Sequence, residues 1–551
     1  MLKKTITILL IFPFIAISLF HVVFYPATFI DETMYAEWAR VMYKQRTFPI
    51  VGGPATALGY SSSYPPAFYL LGTFIYSFVG ENLLFLKLLS WITFVSFILL
   101  IYIWSKELFK RFDLILISIL LFLTLPLIIW FSRLASHYMF LTLYFSLACY
   151  FIFKFNATQK KKFLYISSLF ASIAALTSFL GLSYVILFLI LVKPDKKNFK
   201  PIIFSLLIFF LLISPWYVRN SILLGNPLWP YGAIGKYIDL DIYDRNENYW
   251  ARLAKTDGFS YSTSSDFIDS TYRLLNPTVE LYDYAVRTGL RPIFTLFALP
   301  ALLLYFYSKK KDKQIKFFAY WFLVYLILYI FFLGKGFTNY GKVVNSGVGF
   351  YGREIYLILI SVPTVFLSVY FIKKLFEIKI AKWVVIVLLA SIYIYFLFNS
   401  IFWVGCPKKM TEEDNFAYIQ SFGDKWKQLE ICFGNYTSMW KYVSENIPDV
   451  RIALFDYRLY YYNRTMVETD GWELHNLSHA TNVAEMHGIL KSNNISFIIV
   501  KEDKSFFQNF AKLEQGDNFG FLNYTQYFSL VKAIGDIKLY RVIQNESDYF
   551  T

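Results

Sequence analysis

Eleven apolar runs, separated by polar connections, dominate the first 403 residues of the chain. A helix needs roughly 20 residues to cross a bilayer, and most of these runs approach that length. They lie at 5–25, 83–104, 113–131, 137–155, 163–176, 178–192, 200–216, 291–307, 316–333, 354–372 and 383–403. A further apolar segment, 66–80, is too short to cross and is expected to lie on the membrane surface. The pattern predicts a polytopic α-helical membrane protein with eleven spans.

Lysine-rich clusters between the runs predict the orientation of the spans. If segment 66–80 does not cross, every dense cluster falls on the same side as Lys3 and Lys4. These clusters lie at 106–111, 154–162, 193–200, 309–316 and 373–382. Basic loops are retained in the cytoplasm, so we expect a cytoplasmic N-terminus and an uncleaved signal anchor. The polar segments expected outside are 26–82 (the first loop), 132–138, 217–290, 334–354 and the tail from about 404.

The tail is predicted to form a separate extracytoplasmic α/β domain. Helical patterns cover 437–446 and 482–492, and residues typical of strands cover 451–462 and 495–501. A hairpin is predicted over 528–543, with its turn at Gly535-Asp536. The domain prediction is therefore a transmembrane body, 1–403, followed by a soluble domain, 404–551.

Composition agrees with a membrane protein and narrows the partners. The chain is 57% hydrophobic and only 17% charged, which is too apolar for a soluble protein of 551 residues. The net charge of +15 arises from the clusters between spans, which argues against a nucleic-acid partner. Cys149 lies in an apolar run. Cys406 and Cys432 follow the last run and are a candidate disulfide pair, with two free thiols as the alternative.

An acidic pair, Asp31-Glu32, lies in the first loop within a few residues of the first span. In a structural interpretation, Asp31 caps a helix over 32–46, and Trp38 and Met42 lie on the apolar face of that helix. In a functional interpretation, a carboxylate at the membrane surface acts as a general base. It would deprotonate an acceptor hydroxyl for in-line attack on a sugar that is carried by a lipid phosphate. Both interpretations remain open from spacing alone.

Four arginines, Arg40, Arg133, Arg219 and Arg353, are predicted at the outer edge of the membrane. Their guanidinium groups could hold the leaving lipid phosphate, because the fixed fork of donors matches phosphate oxygens. The alternative is an interfacial anchor in each case. Arg133 and His137 are four residues apart and are predicted to share one helix face. His137 would then bind substrate or a metal, or would be an ordinary buried polar residue.

The loop 217–290 offers two further chemical patterns. Asp239, Asp241 and Asp244 suggest a D-x-D motif, with a divalent metal and a nucleotide sugar. Nucleotide sugars are not normally supplied outside the cytosol, so a solvated loop is favoured. The loop is also dense in tyrosine and tryptophan, which would either line a sugar pocket or form an interfacial belt. No metal ligands and no cofactor are assigned, and a divalent metal stays an open alternative.

Four stretches resemble the membrane glycosyltransferases of the GT-C type. They are DETMYAEWAR, SYPPAFYLLGTFIYSFVGENLLFLKLLS, PLIIWFSRLASHYMF and SPWYVRNSILLGNPLWPY. The most similar groups are the protein O-mannosyltransferases and the lipid A aminoarabinose transferase, over about residues 1–370. The resemblance implies a polyprenyl-phosphate sugar donor. By position it implies that Asp31 is the catalytic base, with Glu32, Tyr35 and Glu37 around it.

The chain departs from the family at three places, two of them relative to the aminoarabinose branch. Met34 stands where that branch has arginine, and Tyr64 stands where it has lysine. His137 stands where many relatives have an acidic residue. The phosphate contacts, the sugar and the acceptor of that branch are therefore not carried over.

The expected function is the inverting transfer of a sugar from a polyprenyl-phosphate donor to a hydroxyl acceptor on a lipid, a glycan or a protein. The reaction is expected at the outer face of the cell membrane, with Asp31 as base beside Glu32. The residues expected to bind substrate or donor phosphate are Tyr35, Glu37, Arg40, Tyr64, Arg133, His137, Arg219 and Arg353. The alternatives are a transporter or flippase of lipid-linked sugars and an inactive relative that only binds. Neither repeats nor many intramembrane charges are present to favour transport.

Overall fold

The computed structural model shows a body of helices followed by a small mixed sheet. The residues that the structure describes are 2–25, 30–46, 65–192, 198–224, 227, 290, 292–308, 312–328, 353–402, 414, 417–418, 420–421, 424–448, 450–454, 466–468, 483–501 and 526–543. The helices of the body are α1 (Leu2–Phe24), α2 (Ile30–Gln45), α3 (Ala67–Val79), α4 (Leu83–Phe109), α5 (Phe112–Leu123), α6 (Pro126–Phe131), α7 (His137–Thr158), α8 (Lys162–Ala175), α9 (Tyr184–Val192), α10 (Phe199–Leu224), α11 (Leu299–Tyr307), α12 (Lys313–Leu328), α13 (Ser361–Leu375) and α14 (Lys379–Phe402). Short 3-10 turns at Phe179–Ser183 and Arg353–Ile360 lead into α9 and α13, and a π turn at Phe294–Ala298 leads into α11.

The tail contributes the remaining elements that the structure describes. Its helices are α15 (Lys425–Phe433), α16 (Asn435–Asn446) and α17 (Val483–Ser492). Its strands are β1 (Ile452–Leu454), β2 (Met466–Glu468), β3 (Phe497–Lys501), β4 (Phe528–Ile534) and β5 (Ile537–Val542).

Among the residues that the structure describes, six helices are long and apolar enough to cross a membrane. They are Thr5–Phe24, Leu83–Phe109, His137–Thr158, Phe199–Ile222, Leu357–Leu375 and Lys379–Ile401. Large apolar side chains on these helices remain exposed, for example Leu9 at 66%, Leu211 at 69% and Val387 at 64%. An apolar surface of this kind is unfavourable in water and fits a lipid environment. The helices and their exposed faces therefore support a membrane location.

The other five predicted spans coincide with shorter apolar helices. These are Phe112–Leu123, Lys162–Ala175, Phe179–Val192, Phe294–Tyr307 and Gln314–Leu328. The total of eleven spans and the side on which each terminus lies therefore stay predictions. α3, with 13 residues, is too short to cross by itself, in agreement with the length predicted for segment 66–80.

The helix in the predicted span 113–131 is interrupted, and whether this stretch crosses the membrane stays a prediction. α5 ends at Leu123 and α6 begins at Pro126, with Leu125 in an extended conformation. Proline lacks an amide hydrogen, and its ring disfavours a helical conformation at the preceding residue. The interruption separates α6 from α5 and lets α6 end at the turn 132–136, which contacts α2.

The membrane body has one large apolar core whose centre is aromatic. The ring of Trp104 on α4 has its centroid 5.2 Å from Phe318, 6.1 Å from Trp321 and 5.4 Å from Phe366. Such large rings bury much apolar area, and their edge and offset contacts add to it. This core joins α4 to α12 and α13, both of which lie more than 200 residues after α4 in the sequence. It therefore makes the body one packing unit.

A second apolar core joins α2 and α3 to the tail. From the body it contains Trp38 and Tyr69, and from the tail it contains Leu429, Trp440 and Leu539, all buried to 1% exposure or less. Burial of large apolar side chains is the main stabilising contribution in such a contact. The tail therefore packs against the helices of the first loop, and its division into a separate domain stays a prediction.

The five strands form one sheet in the order β2-β1-β3-β5-β4. β1 runs parallel to β2 and β3, with Ile452 opposite Met466 on one side and Phe497 on the other. β5 is antiparallel to β3 and β4. The hairpin predicted over 528–543 is present, and its turn needs Gly535, which has a φ of 58°. The predicted helices 437–446 and 482–492 correspond to α16 and α17.

Candidate active site

α2 places the acidic pair of the first loop directly after the first apolar helix. It begins at Ile30, so Asp31 lies inside its first turn rather than at the N-cap that the structural interpretation predicts. Trp38 and Met42 are buried, as the amphipathic pattern predicts. Arg40 is also buried, with 7% exposure, although it was expected at the membrane edge. The side chains of Asp31 and Glu37 lie outside the described part of the structure.

Glu32 fixes the first turn of α2 through buried polar contacts. Its side chain has 0% exposure, and its Oε1 accepts a hydrogen bond from the Ala135 amide at 3.0 Å. The Nζ of Lys87, on α4, lies 3.9 Å from the same oxygen and donates to the carbonyl oxygen of Tyr25 at 2.9 Å. A buried carboxylate is strongly unfavourable without such partners. Glu32 therefore holds α2 against the turn 132–136.

One turn further along α2, Tyr35 makes a second contact on the same side. Its hydroxyl shares a hydrogen bond with Nδ1 of His137, and the two rings meet edge to face at 5.0 Å. α7 begins at His137, because Ser136 caps it by accepting from the Tyr138 amide at 3.4 Å. Arg133 precedes this cap, so the prediction that Arg133 and His137 share a helix face is wrong.

Arg133 is buried among backbone carbonyl groups. It is 3% exposed, its Nε donates to the carbonyl of Ile129 at 3.1 Å, and its Nη1 donates to that of Ser400 at 2.7 Å. Burial lowers the pKa of Arg133 to about 9, with Tyr25 acting in the opposite direction, so the group stays charged at neutral pH. Arg133 thus ties α6 to the end of α14.

Arg219 has a more open environment near the end of α10. It is half-buried, its guanidinium lies 4.8 Å from the ring centroid of Trp216, and its Nη1 donates to Asn220 Oδ1 at 2.9 Å. Burial raises the pKa of Tyr69, on α3, and the charge of Arg219 acts against that rise. Arg219 is therefore close enough to α3 to act on a buried group of that helix.

The end of α8 accepts hydrogen bonds from α3 and α10, the helices that carry Tyr69 and Arg219. The carbonyl of Leu176 accepts the Ala67 amide at the start of α3 at 2.7 Å. The carbonyl of Ala175 accepts the hydroxyl of Tyr217, on α10, at 3.0 Å. Unpaired carbonyls at a helix end need partners, and here α3 and α10 supply them.

Several predicted residues are not placed by the structure. Tyr64, Cys406 and the aspartates of the D-x-D pattern lie outside the described residues. Arg353 begins the 3-10 turn before α13, but its side chain is not described. Cys432 is disulfide-bonded, and Cys149 is free and buried. The pairing of Cys406 with Cys432 stays a prediction.

The sequence prediction missed Lys87. The signal was available, because an ionisable residue inside an apolar run is uncommon and usually has a specific partner. The apolar run around Lys87 predicts a span, but it does not indicate which residue is the partner of the lysine. Among the residues that the structure describes, no group of three or more His, Cys, Asp or Glu could hold a metal ion.

The fold is similar to that of solved GT-C proteins, as the sequence resemblance predicted. The chain is similar to ArnT from Cupriavidus metallidurans bound to undecaprenyl phosphate, with a TM-score of 0.56, 10% identity, and coverage of 98% of this chain and 97% of that chain. ArnT in the apo state gives a TM-score of 0.53, 11% identity, and 99% coverage of both chains. The archaeal oligosaccharyltransferase AglB from Archaeoglobus fulgidus, in complex with an inhibitory peptide and a dolichol-phosphate, gives 0.52, 13% identity, and 99% and 75% coverage. No protein-family model matches the chain, and neither does any curated protein.

Proposed function

We propose that the protein transfers a sugar from a polyprenyl-phosphate donor to a hydroxyl acceptor at the outer face of the membrane. The observation that carries this proposal is the position of Asp31. It lies in the first turn of a helix that directly follows an apolar span, and its neighbour Glu32 holds that turn in place through the Ala135 amide. The GT-C fold supports the proposal, since the similar structures hold undecaprenyl phosphate in ArnT and dolichol-phosphate in AglB.

Asp31 is the proposed general base. Its carboxylate takes the proton of the acceptor hydroxyl while the acceptor oxygen forms a bond to the anomeric carbon of the sugar. The bond between that carbon and the phosphate oxygen breaks, and the polyprenyl phosphate leaves with the electron pair. A single in-line displacement of this kind inverts the anomeric configuration.

The leaving phosphate needs a cation, and Arg219 is the favoured candidate. Arg219 is half-buried and lies near α3, whereas Arg133 is 3% exposed and its donors reach the carbonyls of Ile129 and Ser400. Guanidinium groups bind phosphate through paired hydrogen bonds, which requires donors that face the ligand. We assign Arg133 to the support of the turn 132–136, and Tyr35 and His137 to the support of α2.

Sugar transfer by reconstituted protein tests the proposal. Labelled polyprenyl-phosphate sugars would be supplied to wild type and to Asp31→Asn, with the labelled product identified. Asp31→Asn is expected to lose about 10²-fold or more in rate, the size of a lost general base. Asp113→Asn is the matched control, because this carboxylate, whose side chain is 46% exposed, pairs with Arg111 at 2.6 Å, far along the chain from α2.

Three outcomes are informative. Loss in Asp31→Asn and full activity in Asp113→Asn support the base. Equal transfer by wild type and Asp31→Asn would show that Asp31 is not the base. If wild type transfers none of the donors tried, flux of labelled lipid-linked sugar across the vesicle membrane would favour the transporter alternative.

A further inference from the structure

Lys87 makes contacts on both sides of the connection between α1 and α2. Its ammonium donates to the carbonyl oxygen of Tyr25, just after the end of α1, at 2.9 Å. It also lies 3.9 Å from Oε1 of Glu32, in the first turn of α2. The side chains of Lys87 and Glu32 are 5% and 0% exposed, so water does not screen their attraction. One buried cation therefore holds both flanks of the segment that leads to Asp31.

The turn 132–136, against which α2 is held, is itself held by hydrogen bonds to α4 and α1. Ser136 in the turn 132–136 donates its amide to the Oγ of Ser90 at 3.3 Å, and Ser90 is one turn beyond Lys87 on α4. At the other end of this turn, the Oγ of Ser132 lies 2.9 Å from the Oγ of Ser18 on α1. The turn that contains Ala135, the partner of Glu32, is thus attached to α1, which Tyr25 directly follows, and to α4, which carries Lys87.

This arrangement makes the position of Asp31 depend on Lys87. Adjacent Cα atoms are about 3.8 Å apart, so a shift of Glu32 moves the backbone of Asp31 with it. A misplacement of about 1 Å at a catalytic group can reduce the rate about 10²-fold. Removal of Lys87 would take away the ammonium that lies 3.9 Å from the buried Glu32 carboxylate, which favours displacement of the first turn of α2.

We propose that Lys87 is a positioning residue, which acts through Glu32 to hold the first turn of α2 and therefore the base. Its catalytic part rests on the proposed function. The structural part, a cation that locks α2, stands independently of the reaction that the protein performs.

The variants Lys87→Met and Lys87→Arg test the proposal, with Lys154→Met as matched control. Lys154 forms a shorter but more exposed ion pair with Glu107, at 2.8 Å and with side chains 28% and 31% exposed, between α7 and the end of α4 remote from Lys87. We expect Lys87→Met to lower kcat about 10-fold to 10²-fold while the KM for the donor changes less than about threefold. Lys87→Arg keeps the charge and donors and is expected to recover most of the kcat. Lys154→Met is expected to match wild type.

Hydrogen exchange over residues 30–46 of the purified protein separates positioning from catalysis. Lys87→Met is expected to exchange about tenfold or more faster there than wild type, and Lys154→Met at the wild-type rate. Unchanged exchange in Lys87→Met would overturn the proposal, as would a loss confined to the KM for the donor, which indicates direct phosphate contact. A low kcat in Lys87→Arg, together with wild-type hydrogen exchange over residues 30–46, would also overturn the proposal. If Lys87→Met exchanges faster but the wild type transfers no sugar, the conclusion that Lys87 holds α2 in place would stand, and the proposed function would be refuted.

Discussion

Replacement of Gly181 by alanine tests whether the end of α8 organises the site. Gly181 lies in the 3-10 turn before α9, and a Cβ there would be 2.4 Å from the amide nitrogen of Ala175 and 2.6 Å from the carbonyl oxygen of Ala174. These are backbone atoms, so rotation of a side chain cannot relieve the overlap. Overpacking costs typically about 1–3 kcal/mol, and we expect Gly181→Ala to lie near the upper end.

Two other glycines provide comparisons for the loss of stability expected of Gly181→Ala. At Gly72 on α3, a Cβ would meet Leu86 Cδ2 at 2.6 Å, which is the far end of a flexible side chain. Gly72→Ala is therefore expected to cost less than Gly181→Ala, about 1 kcal/mol. At Gly488 on α17, a Cβ would meet no heavy atom within 4 Å beyond the adjacent residues and the backbone of the helix, among the residues that the structure describes, and alanine is expected to stabilise the helix by about 0.5–1 kcal/mol.

The assay is thermal unfolding in detergent, combined with sugar transfer below the unfolding temperature. The rank order of stability is expected to be Gly488→Ala, wild type, Gly72→Ala and Gly181→Ala. A displaced α8 end would also move the carbonyls that hold Ala67 and Tyr217, so Gly181→Ala is expected to transfer sugar more slowly while folded. Wild-type stability in Gly181→Ala would refute the close packing on which this reasoning depends.

Arg219 and Arg133, both predicted from the sequence to bind the donor phosphate, are expected to behave differently on replacement. Arg219→Met is expected to raise the KM for the donor about 10-fold to 10²-fold, the effect of a lost charge-assisted hydrogen bond, with Arg219→Lys in between; an unchanged KM would identify Arg219 as an interfacial anchor. Arg133→Met removes the buried hydrogen bonds that Arg133 donates to the carbonyls of Ile129 and Ser400, so it is expected to destabilise the protein by about 1–3 kcal/mol, with the donor KM of the folded fraction unchanged. A wild-type melting curve together with a raised KM for the donor would instead indicate that Arg133 binds the donor phosphate.

The tail contributes to the support of the proposed site. Tyr418 stacks on Tyr25, at the end of α1, with ring centroids 5.2 Å apart, and the disulfide-bonded Cys432 lies in the same apolar cluster. Tyr25 is also the residue whose carbonyl accepts from Lys87. The junction of α1 and α2 is thus held by α4 on one side and by the tail on another.

Local pattern accounts for what could be predicted of this fold. Apolar runs gave the helices of the body, because a run buried in lipid must satisfy its own backbone hydrogen bonds. The amphipathic spacing of Trp38 and Met42 indicated α2, and Gly535-Asp536 indicated the hairpin. The same approach did not predict the break before Pro126, where α5 ends and α6 begins. It was also wrong on the shared helix face of Arg133 and His137, because α7 begins only after the Ser136 N-cap.

By itself, the sequence determined that this is a helical membrane protein with an acidic helix after its first apolar span. Only the tertiary structure decided which buried charges hold that helix. Glu32 and Ala135 are 103 residues apart, and Arg133 and Ser400 are 267 apart. Periodicity encodes which face of a helix is apolar, but it carries no information on which distant helix supplies a partner. That choice depends on the packing of the whole body, because a buried charge is stable only where a specific neighbour completes it.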